Sequence, residues 1–154
     1  MIYLGIDPGK KGGIAVIEER EGGEKKISVY PYTNDTLKFV CSSLTVNSSF
    51  CVVEKVGAMP KQGVTSTFNF GQSFGYILGV LEAFSVPYQL VTPQTWKKHF
   101  GLNADKGKSI ETAKRLFPSI SLLPTERCHV DSDGMAEALL MALYAMRTDR
   151  GTKE

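Results

Sequence analysis

Four carboxylates in this 154-residue chain stand where chemistry needs them. Asp7 closes the apolar run Ile2-Tyr3-Leu4-Gly5-Ile6 and is followed at once by Pro8 and Gly9. Glu54 closes Ser49-Phe50-Cys51-Val52-Val53 in the same way. A carboxylate at the end of a central strand lies at the carboxyl edge of the sheet, where open α/β sheets place ligands. If the two strands are neighbours the acids converge, and like charges so close call for a cation between them. A divalent ion with oxygen ligands is the usual solution. Asp133 and Glu137 are four residues apart and share a helix face. Helix capping accounts for Asp131 and Ser132. It does not account for Glu137, set among Ala136, Ala138, Leu139 and Leu140, where a carboxylate needs a partner. Asp7, Glu54, Asp133 and Glu137 are therefore placed in one catalytic, metal-holding site, with Asp131 as a cap or reserve ligand. The chemistry that wants such a cluster is phosphodiester hydrolysis, in which two divalent ions about 4 Å apart flank the attacking water and the leaving oxygen. No Ser-His-Asp set competes: the only histidines are His99 and His129, and no nucleophile-elbow motif occurs.

The elements that must position these acids follow from periodicity. Residues 2–7 and 14–19 read as strands around a glycine-rich turn, and 26–32 as a third, more exposed strand. A helix over 35–43, capped by Asn34 or Asp35, leads to a buried strand over 49–54. A loop over 55–66 precedes a long helix over 67–84 and a strand over 86–91. Helices are expected over 93–100, 108–117 and 133–146, the last apolar and alanine-rich. This is an α/β domain with a five-stranded mixed sheet, its first three strands antiparallel, flanked by helices. Residues 1–147 form one domain and 148–154 a disordered tail.

Bulk properties bound the reading without deciding it. A 42% apolar content supports a full core, and a net charge of +2 does not advertise nucleic-acid binding. The three cysteines, Cys41, Cys51 and Cys128, are an odd number without Cys-x-x-Cys spacing, which points to a reducing compartment and no zinc site. Met1 leads straight into a strand, and no apolar run approaches the roughly 20 residues of a membrane span. A soluble, intracellular protein without membrane contact is expected.

Read together and in order, the motifs resemble a known family. Gly5-Ile6-Asp7-Pro8-Gly9 followed by Gly12-Gly13-Ile14-Ala15 resembles the opening hairpin of RuvC-type Holliday junction resolvases, and Val53-Glu54-Lys55-Val56 is similar to their second acidic strand. Thr92-Pro93-Gln94-Thr95-Trp96-Lys97-Lys98, then Asp105-Lys106-Gly107-Lys108-Ser109, resembles their basic stretch. Asp133 to Leu140 is similar to the final helix of the phage and organellar relatives. The resemblance implies an RNase H-like fold, a homodimer, paired nicking of four-way DNA junctions, and Mg2+, two ions per site, with Mn2+ as a substitute. At the matching positions Asp7, Glu54, Asp133 and Glu137 are the implied metal ligands. Bacterial members space their last two acids three apart; here they are four apart, which leaves the choice between Asp131 and Asp133 open. The implied setting is the cytoplasm of a bacterial or phage-infected cell, or an organelle.

DNA contact must come from local clusters. Lys97, Lys98, His99, Lys106, Lys108, Lys114 and Arg115 lie within nineteen residues, against Asp105 and Glu111, a basic patch suited to phosphates. Lys106 and Lys108 are read as loop residues, and the Asp-Lys match favours Lys106 at the reacting phosphate, where a cation stabilises developing charge. The loop after Glu54 offers Lys55, Lys61 and Gln62. Phe68 and Phe70 either stack on an unpaired base or fill the core. Gly71, Gly75 and Gly79 share a helix face that permits close approach, to the sheet or to a second copy. Three other readings compete. An actin-like ATPase or sugar kinase opens similarly but needs two such domains. A YqgF-type, RNA-directed nuclease shares the fold. A non-catalytic junction-binding module would not need four acids.

Overall fold

The computed structural model describes residues 1–44 and 48–151. Its strands are β1 (Ile2–Asp7), β2 (Gly13–Glu19), β3 (Lys25–Pro31), β4 (Ser49–Glu54) and β5 (Tyr88–Val91). Its helices are α1 (Asn34–Ser42), α2 (Val64–Ala83), α3 (Pro93–His99), α4 (Lys106–Leu116) and α5 (Asp133–Gly151). The strands form one sheet in the order β3-β2-β1-β4-β5. The β1–β2 and β2–β3 pairs are antiparallel, and β1–β4 and β4–β5 are parallel. This is the five-stranded mixed sheet that the sequence predicts.

The side-chain alternation of a strand divides the core into two layers. Tyr3, Ala15, Ile17 and Val52 face a layer completed by Trp96 of α3, Ala113 of α4 and most of α5. Leu4, Ile6, Ile14, Cys51 and Val53 face the other, covered by Leu37, Val40 and Cys41 of α1 and Ile77 and Leu81 of α2. Helix α5 is buried continuously from Gly134 to Leu143, as an alanine- and leucine-rich helix without a polar face must be. Among the described residues no helix is long and apolar enough to cross a membrane.

Several boundaries differ from the sequence reading, each for a local reason. Thr33, not Asn34 or Asp35, caps α1: its side chain accepts the Thr36 N–H at 3.0 Å. Helix α2 starts at Val64, three residues before Thr67. Helix α4 starts at Lys106, because Asp105 accepts the Gly107 N–H at 2.9 Å and offsets the low helix propensity of that glycine. Lys106 and Lys108 are therefore in the first turn of a helix and not in a loop. Helix α5 runs to Gly151, so residues 148–151 are not a disordered tail. Thr148 donates its hydroxyl to the Tyr144 carbonyl at 2.9 Å, and Asp149 accepts the Tyr3 hydroxyl at 3.2 Å. Residues 152–154, the rest of the expected tail, lie outside the described residues.

Candidate active site

The register of the parallel pair does the first positioning. Ile6 of β1 stands opposite Val53 of β4, so Asp7 and Glu54 leave adjacent strands side by side at one edge of the sheet. Helix α5 reaches that edge by lying directly on backbone. A Cβ on Gly5 would collide with the Ala138 carbonyl and the Ala142 amide, and one on Gly134 with the Lys11 carbonyl. Only glycine allows the sheet and helix to approach so closely. The first turns of α5, with Asp133 and Glu137, are thereby held over the end of β1. Ser132 closes that helix end, accepting the Met135 N–H at 3.2 Å.

Among the described residues, each acid except Asp7 has a defined side-chain partner. Glu54 accepts the indole N–H of Trp96 on Oε2 at 2.8 Å. Glu137, 5% exposed, meets the Lys97 ammonium at 3.0 Å and accepts the Ser109 hydroxyl at 3.2 Å, both on Oε1. Asp133 meets Lys106 Nζ at 2.6 Å. The Lys97 ammonium also sits 5.3 Å from the Trp96 ring centroid. Asp131 is engaged elsewhere, with Lys114 at 2.7 Å.

The electrostatics record how crowded this edge is. Burial pushes the Asp7 carboxyl up to about 8, and the charges of Glu54, Glu137 and Asp133 push the same way against Lys106. Burial raises Glu54 as well, with the Trp96 hydrogen bond opposing and Glu137 adding to it. Burial also pushes Asp133 up. The Lys106 hydrogen bond and charge, with backbone N–H groups, outweigh it and hold Asp133 below its usual range. Lys106 is raised, first by its bond to Asp133. Asp7 thus feels the charge of the other three acids and Glu54 that of Glu137, and Lys97 and Lys106 offset part of it. Among the described residues, no three His, Cys, Asp or Glu side chains gather around a single point fit for an ion, because Glu54, Asp133 and Glu137 are turned toward Trp96, Lys106 and Lys97. As donors they remain hard carboxylate oxygens, the set that suits Mg2+ or Mn2+.

The expected DNA-contacting residues divide by place. Lys55, Lys61, Lys98, Lys106 and Lys108 are exposed. Lys97 instead points inward to Glu137, its side chain 15% exposed. Gln62 is fixed by accepting the Met59 N–H at 3.2 Å. Phe68 is 70% exposed and Phe70 half-buried; neither belongs to the core layers. Phe70 helps line a cavity of about 470 Å3 that also includes Glu54, Met59, Pro93 and Gln94. Among the described residues nothing lies over Gly71, Gly75 or Gly79, so that face does not pack on the sheet. His129 is exposed, and His99 packs edge-on against Phe100 and Tyr144.

Sequence reasoning missed Trp96, Ser109 and the inward role of Lys97. The available signal was Trp96 itself, the one tryptophan, whose N–H needs an acceptor once the ring is buried.

No protein-family model matches the sequence, and no curated protein matches it either. Solved structures do. The Thermus thermophilus RuvC structure superposes with a TM-score of 0.64 at 18% identity, covering 99% of this chain and 97% of that one. T. thermophilus RuvC in complex with Holliday junction substrate gives 0.66 at 15% identity, covering 98% and 96%. The yeast mitochondrial Holliday junction resolvase Ydc2 is a more distant overlap, with a TM-score of 0.44 at 12% identity over 97% of this chain and 79% of that one. With its mixed sheet, its flanking helices and its carboxylates at one strand edge, the chain has the RNase H-like α/β fold of RuvC.

Proposed function

We propose that this protein is a divalent-metal-dependent endonuclease that resolves four-way DNA junctions by paired cuts. The observation that carries the reading is the meeting of Asp7 and Glu54, from neighbouring parallel strands, with Asp133 and Glu137 of α5 at one sheet edge beside Lys106. Asp7, Glu54, Asp133 and Glu137 would hold the ions, once Lys97 and Lys106 release the acids they now pair with. The chemistry a bound divalent ion supplies is a lowered pKa for the attacking water and charge at the phosphate. The chain's own residues do the rest. Trp96 orients Glu54, and Ser109 holds Glu137 in place. Lys106, at the exposed start of α4, would turn from Asp133 to the reacting phosphate. Lys55, Lys61, Lys98 and Lys108 meet the flanking backbone, with Phe68 and Phe70 near the branch.

Two symmetric cuts need two sites, and a two-fold homodimer supplies them. The support for a second copy on α2 is its uncovered face, where Val64 is 88% exposed beside the open glycines. Its sedimentation mass tests this.

The function is tested with a labelled four-way junction, a linear duplex and an RNA–DNA hybrid, each in Mg2+. Preferential, symmetric junction cutting is expected. Cutting of RNA alone is the outcome for an RNA-directed nuclease, and binding without cutting the outcome for a junction-binding module; either one overturns the proposal.

A further inference from the structure

The surface beside Glu54 continues past Phe70 into a second, chemically different cavity. The first, apolar on most of its wall, carries Glu54, Met59 and Pro93. The second, of about 290 Å3, lies between the β1–β2 turn and α2 and is lined by Lys10, Gln62, Ser66, Asn69, Phe70 and Ser73. Phe70 is the residue common to both. Gly9, with φ +121°, brings the turn against it: a Cβ there would sit 3.8 Å from Phe70 Cε2.

The lining of the second cavity is selective by charge. It contains one cation, two amides and two hydroxyls, and no carboxylate. Lys10 is exposed and makes no ion pair with any described residue. Gln62 accepts the Met59 N–H through its carbonyl oxygen, which leaves its amide nitrogen to donate. Ser73 gives its hydroxyl proton to the Asn69 backbone carbonyl at 3.0 Å, and among the described residues the Asn69 side chain and the Ser66 hydroxyl have no hydrogen-bond partner and remain for a ligand. One unpaired ammonium among neutral donors suits an anion with several acceptor oxygens.

We infer that this cleft binds a backbone phosphate of the nucleic-acid strand, next to the one at Glu54, with Lys10 as its cation and Gln62, Ser66 and Asn69 as neutral donors. The inference rests on the nuclease reading. A strand that lays one phosphate at the acid cluster and passes Phe70 delivers its neighbour to Lys10. Phe70 is then the partition that sets the strand's register, one nucleotide per cavity.

The test is binding of a four-way junction and of a linear duplex in EDTA, across a range of salt. A phosphate contact contributes a slope of about 0.9 to the dependence of log K on log salt. Lys10→Ala is expected to lower the slope by that amount and weaken binding several-fold at low salt. Lys11→Ala, its exposed neighbour outside the cleft, is expected to leave the slope unchanged. Ser66→Ala with Asn69→Ala is expected to weaken binding without changing the slope. A single neutral methylphosphonate beside the cut is expected to cost wild type as much as Lys10→Ala does, and to cost Lys10→Ala nothing more. Equal effects of Lys10→Ala and Lys11→Ala would overturn the subsite while leaving the nuclease reading intact. A wild-type protein that binds neither DNA overturns both.

Discussion

Replacing Trp96 with phenylalanine separates an orienting hydrogen bond from simple packing. The ring is fully buried, and its N–H donates to Glu54 Oε2 at 2.8 Å. Phenylalanine keeps an aromatic ring in the core layer and removes that donor. A hydrogen bond to a charged group is worth about 1.5–3 kcal/mol. If that energy serves to hold Glu54 ionised and aimed, its loss weakens divalent-ion binding by about 10–100-fold, at roughly tenfold per 1.4 kcal/mol. The smaller ring also costs about 1–2 kcal/mol of stability through the space it leaves, so a thermal melt must first show the variant folded. Mn2+ binding, followed by the electron paramagnetic resonance of the free ion, reads the affinity without reference to turnover. Cleavage should then show a raised Mg2+ requirement and recover at high Mg2+. The wild type offers an internal probe, because Trp96 is the single tryptophan: its fluorescence should change on titration with Mg2+. A folded Trp96→Phe protein with unchanged Mn2+ affinity and unchanged Mg2+ dependence would refute the orienting role.

Asp7→Asn should abolish cleavage while junction binding persists, and should also stabilise the metal-free protein. The Asp7 carboxyl ionises near 3.8 ordinarily and at about 8 when folded, so the folded state keeps a proton that the unfolded state releases. Stability fully present below pH 3.8 is lost as pH rises through about 8. Melting temperatures of Asp7→Asn and wild type should therefore converge near pH 4 and separate, with the variant higher, above pH 8; parallel curves would count against the crowding of acids. Lys106→Ala should slow cutting at saturating Mg2+ by about 100-fold, while Lys25→Ala, at the start of β3, should leave it unchanged; single-turnover cleavage compares them, and equal rates would remove Lys106 from the chemistry. Gly5→Ala should lose stability by about 1–3 kcal/mol in chemical denaturation and lose cutting with all four acids intact, since the added methyl meets the Ala138 carbonyl and the Ala142 amide; wild-type behaviour would show that α5 yields without consequence.

The strand-end acids were legible because a β-run announces both its direction and its end. Asp7 and Glu54 follow apolar residues, and their convergence needed only that the two strands be neighbours, as they are. Glu137 was legible through its unsuitability, a carboxylate amid alanines and leucines. The partners were not. Lys97 and Lys98 are adjacent in sequence, yet one is held inside by Glu137 and the other is exposed; only the docking of α3 against α5 distinguishes them. The start of α4 was obscured by Gly107, although the capping residue Asp105 was in plain view. The contacts of Gly5 and Gly134 depend on an element more than a hundred residues away from Gly5 or on the opening turn, which no local pattern encodes. The row Gly71, Gly75 and Gly79 left two packings open, and the structure removes the internal one.

The chain order of the site has a consequence for synthesis. Asp7 and Glu54 emerge early, while α5 follows every other described element. Chains begin to fold from the N-terminal side while they are still being made. Until α5 has left the ribosome, Tyr3, Ala15, Ile17 and Val52 lack the helix that covers them, and two of the four acids are missing. A product broken before α5 thus exposes an apolar layer and, on the proposed nuclease reading, lacks Asp133 and Glu137 and with them half of the proposed cutting centre.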